Sequence, residues 1–253
     1  FWKARHLAKH SDIVYATEQE LASAGPGNER LLSLDVYSHE AYPQNCPVII
    51  YVHGNQWVAG DKKNIPPFLQ YLVLKKWVVV SINHRLAPQF HFPQHVIDVK
   101  RSIRWVRKHI SKFGGDPSYI CISGSNSGGH LAALTALTAN DPYYQPGFTD
   151  VDTTVKACIA ISSCLDLTNY KSVWSRGFET WFAQTVLGKH TIKGEEEFLS
   201  MTSPLSLLKQ KLQIRRKSSF NPNLTLVANA TNDTSKPHEV TGEDDLVPFL
   251  IAQ

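Results

Sequence analysis

This sequence predicts an α/β fold: a mostly parallel sheet with helices on both faces. Two observations carry the expectation. Four short runs, at 46–53, 77–84, 118–123 and 155–162, are apolar and β-branched at nearly every position rather than at alternate ones, as strands buried on both faces are. Segments of helical period separate them, and strand–helix alternation builds a parallel sheet with helical crossovers.

Taken in order, residues 30–37, ending Leu34-Asp35-Val36-Tyr37, read as an antiparallel edge strand. A helix is expected over 69–76. Between the second and third runs, Val96, Val99, Ile103, Val106 and Ile110 recur at intervals of three and four, with Arg101, Arg104, Arg107 and Lys108 between them. That spacing predicts an amphipathic helix over 93–113, opened by Pro93. A further helix is expected over 127–139, and 223–229 reads as a last parallel strand. Residues 167–220 hold Trp174, Phe178, Trp181 and Phe182 in helix-permitting surroundings. Two readings stand for them: a cap or lid over a pocket, or the core face of an ordinary crossover helix. With 42% apolar residues and no internal repeat, 1–253 reads as a single domain.

Lys and Arg number 26 against 22 acids and are spread along the chain, so charge gives no argument for a nucleic-acid partner. The densest basic run, Lys209, Lys211, Arg215, Arg216 and Lys217, reads as a solvated loop. Four cysteines are too few for a disulfide framework, and Cys121 and Cys158 fall in apolar runs where a thiol simply packs. No H-E-x-x-H, C-x-x-C or phosphate-binding glycine loop occurs, so neither metal nor cofactor is expected. No apolar stretch approaches the ~18 to 20 residues of a membrane helix, and no signal peptide opens the chain. A soluble domain is expected, cytoplasmic in preference to secreted, with no indication of oligomeric state.

The most specific segment is Ile122-Ser123-Gly124-Ser125-Asn126-Ser127-Gly128-Gly129-His130-Leu131-Ala132. It follows a buried strand and opens a helix, with small residues two before and two after its centre, as a tightly folded nucleophile elbow requires. His53-Gly54-Asn55-Gln56-Trp57, Asn83-His84-Arg85-Leu86-Ala87-Pro88 and Phe113-Gly114-Gly115-Asp116-Pro117 precede it in order. Together these stretches resemble the hormone-sensitive-lipase group of α/β-hydrolases, with its H-G-G-x-W, N-Y-R-L-A-P, F-G-G-D-P and G-x-S-x-G-G-H-L-A patterns. The resemblance implies an α/β-hydrolase fold and carboxylic-ester hydrolysis by the esterase or lipase route, on a small-molecule ester or acyl ligand. It also implies an oxyanion hole made by the backbone N–H groups of Gly54, Asn55 and Ser127. Asn55 replaces a glycine, which keeps the N–H and adds a side chain.

The departures concern the reacting groups. Asn126 stands at the nucleophile position, and a carboxamide lacks the nucleophilicity a serine oxygen gains from an adjacent base. Asparagine does tolerate the positive φ of a sharp elbow. Ser127 is the substitute nucleophile if the turn shifts by one residue, a shift that would rotate the following helix by ~100°. By resemblance to L-V-x-H-G-x-x-D, Asp233 is the candidate acid, with Asp244 its rival; the bland reading of Asp233 is a turn residue bonding its own backbone. His238 is too close to Asp233 to swing over the elbow. The family's histidine falls beyond Gln253, so the C-terminal part of the fold is expected to be truncated. Three readings follow: an esterase impaired in catalysis, a non-catalytic pseudoenzyme that binds a small molecule, as the gibberellin receptors of the group do, or an incomplete gene product.

Overall fold

A computed structural model of the chain describes residues 7–41, 44–168, 174–218 and 249–252. Seven strands form one sheet: β1 (Leu7–Val14), β2 (Ser33–His39), β3 (Cys46–Val52), β4 (Val78–Ile82), β5 (Gly115–Ser125), β6 (Ala157–Ile161) and β7 (Phe249–Ala252), in the order β1-β2-β4-β3-β5-β6-β7. From β4 to β7 every pairing is parallel, while β2 is antiparallel to both β4 and β1. Ile50 of β3 lies between Val80 of β4 and Ile122 of β5, the pairing that centres the core.

Because side chains alternate along a strand, the sheet has two apolar faces. Val48, Ile50, Val80 and Ile122 belong to the larger cluster, with Val99, Ile103, Leu131 and Leu134 from helices α3 (Gln94–His109) and α4 (Ser127–Leu137). On the other face Ile49, Tyr51, Val79 and Cys121 meet Leu69 and Val73 of α2 (Pro67–Leu74). Burial on both sides is what the unbroken apolar runs of β3 and β4 require.

The expected edge strand at 30–37 is β2 and lies inside the sheet, with β1 at the edge. A backbone ladder to β2, with ion pairs beside it, holds β1, and its polar sequence LAKHSDIV gave no strand signal. The buried Asp35 of β2 accepts the Asp12 N–H at 3.0 Å and pairs with Lys9 Nζ at 2.9 Å and with Lys62. Lys62, wholly buried, also meets Asp12 at 2.6 Å.

Helix α1 (Glu18–Ala24) opens with a capping box of Thr17 and Glu20. Helix α3 is shorter than its expected 93–113, ending at His109 and passing into a 3-10 turn, Ile110–Phe113, before Gly114. Its basic last turn, Arg107, Lys108 and His109, suits the negative end of the helix. The charged face is not all solvated: Asp98 and Lys100 are fully buried, and Arg101 and Arg104 pair with Glu20 of α1.

All eleven positions of α4 are buried, as befits a helix covered all round, and α7 (Pro204–Ser218) packs against it. Before α7 come α5 (Arg176–Trp181), a π-helical continuation Phe182–Leu187, and α6 (Glu196–Thr202). Phe182, Val186 and Leu187 join the main core, while Trp174, Phe178 and Trp181 are half-buried against it. The expected strand at 223–229 lies outside the described residues, and the strand paired with β6 is β7. Among the described residues no helix is long and apolar enough to cross a membrane.

Candidate active site

Strand β5 delivers Asn126 to the C-terminal edge of the parallel strands, and α4 begins at the next residue. The reversal is sharp: Asn126 has φ 53° and ψ −124°, a strained conformation that persists only where its surroundings enforce it. They do so through the Asn126 N–H, which donates to Ile161 O at 2.9 Å, and through Asn126 O, which accepts the His130 N–H at 3.3 Å. A methyl group on Gly124 would lie 2.3 Å from Gly128 C and O, and one on Gly128 would lie 2.2 Å from Val52 O. The small residues flanking the tip are therefore dictated by backbone against backbone, which cannot yield as a side chain does. Gly128→Ala is expected to lower the unfolding free energy by about 3 kcal/mol, at the upper end for overpacking. Gly177→Ala, whose new methyl would meet nothing nearer than 4.0 Å, should stay within about 0.5 kcal/mol. Urea titration of both variants checks the contrast.

Opposite the elbow, Asn55, Gln56 and Trp57 have φ 95°, 56° and 63°. With Val58 N–H donating to Asn55 O at 3.2 Å they make a single left-handed turn. Successive N–H groups of a helical turn point the same way, here toward the elbow. Gln56 N–H donates to Asn126 Oδ1 at 2.9 Å and Trp57 N–H to Ser127 Oγ at 3.0 Å. The turn is fastened from behind by Ala87 N–H, which donates to Trp57 O at 2.9 Å. The Trp57 ring lies 5.4 Å from both His130 and Phe182, and the ring of Phe182 is in turn 5.5 Å from Trp174.

Of the residues singled out from the sequence, Asn126 and Asn55 are exposed at this site, Gly54 is half-exposed beside them, and Ser127 is buried as the first residue of α4. The one-residue shift that would present Ser127 is not adopted: the tip is Asn126, and the Ser127 hydroxyl accepts the Trp57 N–H. As the first residue of a helix Ser127 keeps an N–H without an intrahelical acceptor. Asp233, Asp244 and His238 lie outside the described residues. The sequence reading did not single out Gln56, whose N–H reaches the elbow side chain; motif glycines mark where bulk is forbidden, not which amide points inward.

A column of buried histidines lies behind the turn. His53 stacks on His84 with centroids 4.5 Å apart, and His84 meets His95 edge-on at 5.9 Å. Burial, then repulsion from His84, lowers His53 to about 3, and burial lowers His84 to about 4. Burial also takes His95 well below the ordinary range and His130 to about 4, the latter donating from Nε2 to Thr202 O at 2.9 Å. These rings are neutral at pH 7, and among the described residues none is hydrogen-bonded to the side chain of Asn126 or Ser127.

The chain is similar to known proteins in sequence and in fold. The chain is 41% identical over 172 residues to Esterase LipQ of Mycobacterium tuberculosis, covering 67% of this chain and 38% of the relative. It is 44% identical over 124 residues to the probable carboxylic ester hydrolase LipM of the same organism, covering 49% and 29%. It thus spans well under half the length of these relatives. Among solved structures, a truncated form of a carbohydrate esterase from gut microbiota superposes with a TM-score of 0.69 at 22% identity, covering 81% of this chain and 74% of that one; at that identity the match bears on the fold, which is that of the α/β-hydrolases. Residues 34–213, from β2 through the elbow to α7, match the BD-FAE family model, and the chain belongs to that family of the α/β-hydrolase esterase group.

Proposed function

We propose that this chain keeps the ligand site of a carboxylic-ester hydrolase and does not hydrolyse esters through a serine–histidine–acid triad. The relatives are named as esterases and carboxylic ester hydrolases, which supports the lineage and the class of ligand, a small ester or acyl compound. One observation carries the second half: the residue at the strained tip is Asn126, whose carboxamide oxygen is already engaged by the Gln56 N–H. A carboxamide has no hydroxyl proton for a base to remove and no oxygen basic enough to open an acyl transfer. In this reading Gly54, Asn55 and Ser127 supply the oxyanion donors, Asp233 is the acid, and the aromatic segment around Trp174 and Phe182 caps the site as part of 167–220.

Fluorophosphonate labelling with peptide mapping, together with turnover of p-nitrophenyl acetate and butyrate, tests it. No labelled peptide is expected, with turnover at least about 10⁴-fold below that of a triad esterase. A label on Ser127 would overturn the proposal. Asn126→Ser alone is expected to stay within about tenfold of the parent rate, since among the described residues no histidine is hydrogen-bonded to the elbow side chains and a nucleophile without its base loses nearly as much as the whole triad.

A further inference from the structure

The geometry points to Asn126 as a modification site, at which the chain converts its own carboxamide to a carboxylate through a succinimide formed with Ser127. The inference rests on the backbone of the elbow and is independent of which ligand the site takes.

Ring closure needs the amide nitrogen of the next residue to lie beside the asparagine side chain. The ring atoms are Cα, Cβ, Cγ and the carbonyl C of Asn126 with the N of Ser127, so the Cβ–Cα–C–N torsion must be close to zero. On a tetrahedral L-configured Cα, Cβ sits roughly 120° from the backbone nitrogen, which places that requirement at a ψ of about −120°. Asn126 has ψ −124°. Helix and strand backbones both turn the next nitrogen well away, and so does Asn28, with ψ 10°. An asparagine in a flexible chain visits this strained region only briefly. At Asn126 the fold holds it there, through the bonds of its N–H to Ile161 O at 2.9 Å and of its O to the His130 N–H at 3.3 Å, and through the backbone packed against Gly124 and Gly128.

The reacting atoms are also prepared. Ser127 opens α4, and among the described residues its N–H meets no protein acceptor, so no hydrogen bond has to break before that nitrogen attacks. Gln56 N–H donates to Asn126 Oδ1 at 2.9 Å, the oxygen that takes up negative charge as nitrogen adds to Cγ, and so acts as an oxyanion donor. Asn126 is exposed, so water reaches the group and ammonia can leave. The bond from Ser127 N to Cγ forms, the Cγ–Nδ2 bond breaks, and the side-chain nitrogen departs as ammonia with the proton that Ser127 N gives up through water. Water then opens the ring. Cleavage of the Cγ–N bond restores the main chain and leaves an aspartate at the tip; cleavage of the C–N bond leaves an isoaspartate, with an extra carbon in the main chain before α4. Either product sets a negative charge beside the Gln56 N–H.

Incubation of the folded full chain at mildly alkaline pH, followed by peptide mapping with tandem mass spectrometry, tests the inference. Asn126 is expected to gain the mass of a carboxylate at least about tenfold faster than Asn28, and at least about tenfold faster than it does in the same chain held unfolded in urea. Hydroxylamine, which opens a succinimide, is expected to cleave the folded chain between residues 126 and 127. Asn126→Gln, whose longer side chain cannot close the same ring, should abolish that cleavage. A rate in the folded chain no greater than in urea would mean that the fold protects the amide, and would overturn the inference. A carboxylate that appears without any hydroxylamine-sensitive intermediate would overturn it as well, since the Ser127 nitrogen would then take no part.

Discussion

Mild acid is expected to unfold this protein before most carboxylates are protonated. Histidine in an unfolded chain titrates near 6.5, whereas burial lowers His53 to about 3 and His84 and His130 to about 4. Between those limits the unfolded state binds protons that the folded state refuses, so the unfolding free energy falls as pH falls. Above about 6.5 the rings are neutral in both states and their contribution is complete. Each proton contributes about 1.4 kcal/mol per pH unit, so three rings give a slope near 4 kcal/mol per unit at its steepest. Against a typical total of about 5–15 kcal/mol, that slope brings unfolding within pH ~6 to 4. Circular dichroism melts from pH 8 to pH 4 measure it, and His84→Tyr, which keeps an aromatic ring and removes one titration, should flatten the curve. A melting temperature unchanged between pH 7 and pH 5 would show that the column admits protons without opening.

The parallel half of the sheet was readable because β3 and β4 are buried on both faces and so carry no polar positions to confuse the pattern. Strand β1 was not readable for the opposite reason. Besides its backbone ladder to β2, its contacts are Lys9 and Asp12 meeting Asp35 and Lys62, and ion pairs between distant segments leave no periodicity. The same limit applied to α3, where Arg101 and Lys108 look alike in sequence. Arg101 is buried between Asp98 and Glu20 because α1 folds across it.

At the site, the sequence specified residue sizes better than directions. Gly124 and Gly128 announce an elbow because a side chain there would collide with backbone. Nothing local announces that Asn55, Gln56 and Trp57 all take positive φ, since glycine is the residue expected for such a run and none of the three is glycine. The conformation is imposed from outside: Asn126 and Ser127 take two N–H groups in front, and Ala87 holds Trp57 behind. This accounts for Gln56 passing unnoticed while its neighbours were identified.

Removal of the Asp98 carboxylate is expected to have the largest effect of any single side-chain truncation argued from this structure. Asp98 is fully buried and accepts from the Arg85 backbone N–H at 3.0 Å, from Arg85 Nε at 2.8 Å and Nη2 at 2.7 Å, and from Arg101 Nη1 at 3.0 Å. Asp98→Ala strands the buried Arg85 guanidinium and leaves Arg101 with Glu20 alone, a loss of about 3–5 kcal/mol. The exposed pair of Arg30 and Asp61 makes the contrast, since Arg30→Ala should cost about 1 kcal/mol or less. The consequence reaches the site because Arg85 anchors the stretch that ends in Ala87, whose N–H holds Trp57 O. With that anchor gone, the left-handed turn loses its rear support while Asn126 and Ser127 still grip its front. Amide exchange at Gln56 and Trp57 should therefore accelerate in Asp98→Ala at a temperature where the α2 amides remain protected. Equal acceleration in both places would mean that the carboxylate stabilises the fold as a whole and does not specifically position the turn.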